Sequence, residues 1–363
     1  METIRQSVER GDEAGREPNA YWLTRALPQS TRGTLLTAGA VAAGLYVSGF
    51  VGAVLAGQSG YLRETDFYLY ALGAFFEVVL LCNWSARYPR LWQALNARTG
   101  EGERLFDVPE DRYREVVDRG LRRVYRLDGP VALFALYHLF IMLVLFQGGA
   151  FDHIRHWNLV VVNLLGAFAV YLFFGHLLLL RDVVALPVTD VDAAADRFEA
   201  VIDFGLLVIV EWFPAVTVLF AYVFETLYGA VSGGDRLWAS FLTILLGGGP
   251  SGATAELLLL LGFTVVGVVA FVATLLLVHT GLAAARRREL RAIRREYEEF
   301  YELWKAESES TERLATGMDI LERQQASVKA ARTWPYNASM VLRLGIASQI
   351  PVLSLVARVL TGG

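Results

Sequence analysis

The chain has 363 residues, of which 55% are hydrophobic and only 19% charged, with a formal charge of −4 and a mean hydropathy of +0.41. Soluble domains run near roughly 45–50% apolar and about 25% charged, so the composition argues against two or three soluble domains. A single cysteine, Cys82, excludes an intramolecular disulfide or a thiolate metal cluster, and the only lysines, Lys305 and Lys329, lie outside the apolar runs, which excludes a Schiff-base lysine and a P-loop.

Taken in chain order, a charged leader over 1–32 precedes the first apolar run, which is longer than a signal-peptide core, so no secretory signal is expected. Runs long enough to cross a bilayer follow at 33–56, 65–84, 129–148, 158–180, 204–228 (with Pro214 inside it) and 255–282. A seventh, weaker run covers 339–361. Trp238–Leu246, beside a glycine-rich loop, is too short to span. Arginine and lysine set the orientation: the leader carries five, the 85–128 loop ten, the 181–203 loop two and the 283–338 segment eleven, while the alternate loops hold only Arg63, Arg155 and Arg236. Positive-inside logic then places the N-terminus in the cytoplasm and, with seven spans, the C-terminus outside. Trp84, Trp157, Trp238 and Trp334 fall at the expected boundaries, where an aromatic belt belongs. The expected architecture is an all-α polytopic membrane protein of the plasma membrane. A six-helix bundle over 33–282 carries the two cytoplasmic loops, a helical extension covers 283–338, and a last span follows.

Three cytoplasmic pieces read as structured. Pro109 suits the first turn of a helix whose apolar positions are Tyr113, Val116, Val117, Leu121 and Val124. Thr189 or Asp190 is placed to cap a helix that runs straight into the fifth span. Beyond the sixth span, Leu290, Ile293, Tyr297, Phe300 and Trp304 repeat at 3,4,3,4 spacing. After polar Glu307 and Thr311 the register resumes at Leu314, Met318, Leu321 and Val328. Such a seam serves either as the inner face of helices packing on their own chain or as an anchor between subunits.

Ionisable groups inside spans are expensive and therefore become site candidates. Glu77 and Glu211 each lie about seven residues from the cytoplasmic end of their spans, roughly 10 Å deep, and His138 lies at about 14 Å. Together they are either a proton-coupled site or a structural hydrogen-bond network. In the last run, taking Arg343 as origin, Ala347, Pro351, Ser354 and Arg358 fall within about 80° of it on a helical wheel. A polar stripe of this kind suits a helix lining an aqueous path, or else two arginines reaching opposite interfaces. No metalloprotease, nucleophile-elbow or potassium-filter motif is present, so an enzyme is not expected, nor is a cofactor or a metal.

The layout resembles the seven-transmembrane ion-channel superfamily of insect odorant and gustatory receptors, which has distant prokaryotic relatives. The resemblance spans nearly the whole chain as architecture: cytoplasmic helices between the sixth and seventh spans, then a short polar-faced last helix. Of that family's Thr-Tyr and Gln-Phe pattern in the last helix, Gln349-Ile350 matches the end, and Leu342-Arg343 stands where Thr-Tyr would. The resemblance implies a homotetramer joined by the 284–330 helices, with 339–361 lining a central pore and a small ligand gating it. The expected function is accordingly an oligomeric ion channel. The alternatives are a secondary transporter coupled to protons through Glu77, Glu211 and His138, or a non-conducting sensor or scaffold. The lipid bilayer and further copies of the chain are the expected partners, and nucleic acid is not.

Overall fold

The computed structural model describes residues 22–55, 57, 65–97, 104–145, 153–219, 239, 243, 253–305 and 311–334. Its helices are α1 (Trp22–Ala26), α2 (Thr31–Leu55), α3 (Thr65–Leu95), α4 (Glu110–Val124), α5 (Asp128–Leu145), α6 (His153–Val184), α7 (Val191–Leu219), α8 (Ala253–Lys305) and α9 (Thr311–Ala330). Among the described residues there is no regular strand, and one isolated antiparallel bridge joins Phe106 to Val188. Five helices, α2, α3, α6, α7 and α8, are long and apolar enough to cross a membrane. Helix is the expected form for such segments, because a backbone in lipid must satisfy its hydrogen bonds within itself. The seventh run, with Arg343, Ala347, Pro351, Ser354 and Arg358, lies outside the described residues, as do Trp238 and the end of the fifth span.

The short-range signals in the loops are largely realised. Asp190 is the cap of α7: its Oδ1 accepts from the backbone N–H groups of Asp192 at 2.7 Å and Ala193 at 3.2 Å. The helix then runs unbroken past Pro214, so the piece after Asp190 and the described part of the fifth apolar run are one rod. Pro109 sits one position earlier than the spacing suggests, as the cap residue of α4 with φ −54° and ψ 140°. Glu110 and Asp111 in the first turn and Arg122 and Arg123 in the last complement the helix dipole of α4. Asp128, at the head of α5, is bridged by Arg126, whose guanidinium holds the Asp128 carboxyl below its usual range.

Helix α6 is the hub, packed against α2, α3, α4, α5 and α8. Glycines permit its closest approaches. A Cβ on Gly120 of α4 would stand 2.3 Å from Leu179 Cδ1, and one on Gly175 of α6 would stand 3.2 Å from the Val124 Cα. Helix α3 packs on α2, α6 and α7 and continues through Pro89 to Leu95, well beyond the apolar run that ends at Trp84. That corrects the boundary reading of Trp84. Its side chain is 1% exposed, inside the core rather than in an interfacial belt, because Tyr88, Trp92 and Leu95 below it are also buried. Trp157 and Trp334 do remain exposed.

Beyond the sixth apolar run α8 continues without a break to Lys305, and α9 folds back along it. The pairing is antiparallel: Gly317 lies against Phe300, and Arg286 donates to the Lys329 carbonyl. Leu290, Ile293, Tyr297 and Phe300 pack with Leu321 and Val328 of the same chain, while Trp304 at the tip is 47% exposed. The seam read from the sequence is thus filled within one chain over 290–300.

Candidate functional site

Two facing stripes define the interior. On α3, Ala74, Glu77, Leu81, Trp84, Tyr88 and Trp92 lie within about 80° of one another on a helical wheel, and Glu77, Trp84, Tyr88 and Trp92 meet residues of α6. On α6, Asn158, Val162, Gly166, Phe173 and His176 form a second stripe of about the same width. Every one of these side chains is buried. Ala74, Gly166 and Ala169 are small residues in the seam, of the kind that helices in lipid use where they pack together.

Glu77 sits in the upper part of this seam, 2% exposed. A Cβ on Gly166 would lie 3.1 Å from its Oε1, so the glycine makes room for the carboxyl. Its Oε2 has no hydrogen-bond partner, and Tyr137 of α5 lies within electrostatic reach of it. A carboxyl surrounded by apolar groups with no cation beside it is costly to ionise.

The other two predicted members sit elsewhere. His138 of α5 stacks on Phe134 at 5.2 Å and makes a long 3.5 Å contact from Nδ1 to Asn163 Nδ2 of α6. Asn163 is three residues from Gly166, so His138 and Glu77 approach neighbouring parts of the same α6 surface. Glu211 of α7 takes a hydrogen bond from Asn83 Nδ2 of α3 at 2.5 Å, with Arg87 of α3 in electrostatic reach and Oε2 unpartnered. Asn83 is about 120° around α3 from Glu77. Glu211 thus meets a different face of α3 from the one that carries Glu77, while Glu77 and His138 meet α6 one turn apart.

The residue missed by sequence reading is His176, which falls near the C-terminal end of its apolar run, where a histidine reads as interfacial. It is instead buried among rings. Its Nδ1 lies 3.2 Å from the Tyr88 hydroxyl, and Trp84 and Trp92 stand at 6.1 and 6.2 Å between ring centroids. Its Nε2 has no hydrogen-bond partner. Asn158, 1% exposed near the N-terminal end of α6, leaves both side-chain polar atoms unpartnered. The i, i+4, i+8 spacing of Trp84, Tyr88 and Trp92 was the available signal for this region.

His279 also gains a defined setting. It stacks on Trp334 with centroids 3.8 Å apart and rings 12° from parallel, and its Nδ1 lies 3.1 Å from the Thr333 carbonyl oxygen. Among the described residues no group of three His, Cys, Asp or Glu side chains is placed to hold a metal ion.

A chain whose described residues form helices and loops without a regular strand, with five helices fit to cross a bilayer and a buried polar seam between two of them, is a membrane protein. Comparison with known proteins finds no matching family model, no matching curated protein and no matching solved structure.

Proposed function

We propose that this chain is a transport protein of the plasma membrane, oriented with its N-terminus inside, in which protons move along the α3–α6 seam. Glu77 is the relay carboxyl, the Tyr88–His176 pair is the inner station, and Asn83–Glu211 is a second titrating point on the α7 side. The observation that supports this is the line of buried polar atoms without partners: Asn158 Oδ1 and Nδ2, Glu77 Oε2 and His176 Nε2. Buried polar groups are almost always satisfied, by water where protein supplies nothing, and the cost of leaving them bare is greatest in lipid. A succession of water-seeking groups interrupted by a carboxyl and an imidazole is the chemistry a proton relay needs. The test is proton flux into proteoliposomes under an imposed gradient. Glu77→Gln abolishes flux and Glu211→Gln lowers it; unchanged flux in both variants ends this reading.

A second reading is favoured by the path of α9. It returns to the level of His279, near the end of the sixth apolar run, and Trp334 stacks there. From that point the 339–361 run would cross outward as a seventh span. The reading is an oligomeric ion channel, a tetramer, with its pore along Arg343, Ala347, Pro351, Ser354 and Arg358. Particle mass in nanodiscs and single-channel recording separate the two: a monomer that still moves protons retains the relay and eliminates the pore.

A further inference from the structure

Directly beyond the sixth apolar run, α8 carries arginines at 286, 287, 288, 291, 294 and 295. Their positions around the helix are not equivalent. Measured from Arg287 at 100° per residue, Arg291, Arg295 and Arg288 fall at about 40°, 80° and 100°, and Arg294 at about 340°. Leu290, Ile293, Tyr297 and Phe300, which hold α9, occupy about 220–300°. Five arginines thus share the face turned away from the hairpin partner, and all five are exposed. Arg286 is off this face and is occupied by the Lys329 carbonyl.

Their partners differ as well. Arg294 is paired with Glu298 at 3.0 Å. Arg291 and Arg295 each turn Nε back to a carbonyl of their own helix, at 3.2 and 3.4 Å, which leaves the outer guanidinium nitrogens free to point away from it. None of Arg287, Arg288, Arg291 and Arg295 makes an ion pair with a carboxylate among the described residues. At 1.5 Å per residue beyond Leu282, Arg287 and Arg288 stand about 8–9 Å from the end of the apolar run and Arg291 about 14 Å. The polar headgroup layer on each side of a bilayer is about 5–8 Å thick, and screening sets in over about 8 Å beyond it. Arg287 and Arg288 therefore sit at the outer edge of the headgroups, and Arg291 remains within electrostatic range of them. Arg294 and Arg295 lie deeper in water, where Glu298 answers part of their charge.

We propose that Arg287, Arg288 and Arg291 of α8 form a binding face for the phosphates of anionic phospholipids in the adjoining leaflet. Several features favour a lipid as the occupant. The face is continuous with a membrane-crossing helix, its charges from 287 to 295 are of one sign, and guanidinium forks match phosphate oxygens two at a time. A cluster of basic residues immediately beyond a span is the general form of an anionic-lipid site. The proposal stands apart from the proton relay, since none of these arginines touches the α3–α6 seam.

The test uses the full chain in nanodiscs of phosphatidylcholine, with phosphatidylglycerol titrated in and bound lipid counted by native mass spectrometry. The wild-type protein retains phosphatidylglycerol preferentially. The triple variant Arg287→Gln/Arg288→Gln/Arg291→Gln loses roughly fivefold in preference per arginine, about a hundredfold in all. Arg323→Gln, on the exposed face of α9, is the control and retains the preference. Displacement of phosphatidylglycerol by millimolar inorganic phosphate would identify a site for free anions and overturn the lipid assignment. Equal retention by the triple variant and wild type, or an equal loss in the Arg323 control, overturns it too. Should the triple variant fail to fold, the wild-type protein decides alone: its preference must weaken as salt rises, and a salt-independent preference overturns the proposal.

Discussion

The α3–α6 seam and the α8–α9 hairpin bury side chains for different physical reasons. The seam is rich in rings: Trp84 lies 4.9 Å from Tyr88, 5.9 Å from Phe173 and 5.2 Å from Phe204, measured between centroids. Outside it is lipid as apolar as its own side chains, so close packing, small residues and polar contacts hold it together. The hairpin lies beyond the apolar run and has few buried positions: Ile293, Leu321 and Val328, with Leu290, Tyr297 and Phe300 partly covered. Here removal of apolar surface from water is the driving force, at about 25 cal/mol per Å². One chain thus contains a region where shape decides stability and another where hydrophobic area decides it.

That contrast breaks first at Trp84. Trp84→Ala removes the ring that joins α3 to α6 and α7, and is expected to cost about 3 kcal/mol, the low end for a buried tryptophan because no transfer from water is recovered. Thermal unfolding in nanodiscs should show one lowered transition for the whole bundle. Ile293→Ala should cost less, about 2 kcal/mol, and the loss should be local. Hydrogen exchange is expected to speed up over 311–330 while α3, α6 and α7 keep their protection. A global loss of protection would show that the hairpin and the bundle are one cooperative unit.

The smallest effect concerns pH. Burial and the neighbouring Asp190 raise the Glu289 carboxyl above its usual range. The folded state therefore holds that proton more tightly than the unfolded one, which disfavours the fold above the folded pKa. This penalty disappears as pH falls through the folded value toward the unfolded one. Glu289→Gln should stabilise the contact between α8 and the head of α7 at neutral pH by no more than about 0.5 kcal/mol, given solvent screening. The variant's advantage should vanish near pH 4. Exchange rates of the Asp192 and Ala193 amides, which Asp190 caps, measure it; an advantage that persists at low pH would assign the effect to packing.

How much of this was legible follows the same division. Apolar runs mark the crossing helices because lipid imposes a length, and the Asp190 cap and the start of α4 depend on a few neighbouring residues. The lower half of α3 was hidden because Arg87, Pro89 and Arg90 interrupt the hydropathy, although Tyr88, Trp92 and Leu95 keep burying one face. With Trp84 read as the end of the span, His176 had no partner to suggest, and Trp84 itself looked like a belt residue. Glu77, Glu211 and His138 share a similar depth, which sequence supplies, but not a common azimuth, which only packing decides. The seam of Leu290, Ile293, Tyr297 and Phe300 was visible as a repeat, yet periodicity carries no information on whether the opposing helix belongs to the same chain.

The 53 residues of α8 form one rod of about 80 Å, with no proline along it. Its part beyond the apolar run, from residue 283 to Lys305, is about 35 Å long. A tilt of about 10° about the end of the apolar run would carry the Lys305 end sideways by about 6 Å, roughly one helical turn's pitch. Gly267, Gly281 and their close neighbours Trp212 and Val184 fix where the rod bears on α7 and on the end of α6. Mechanically, α8 is a beam braced at its middle, so a small repacking at Trp212 that tilted it would displace its far end by a larger distance.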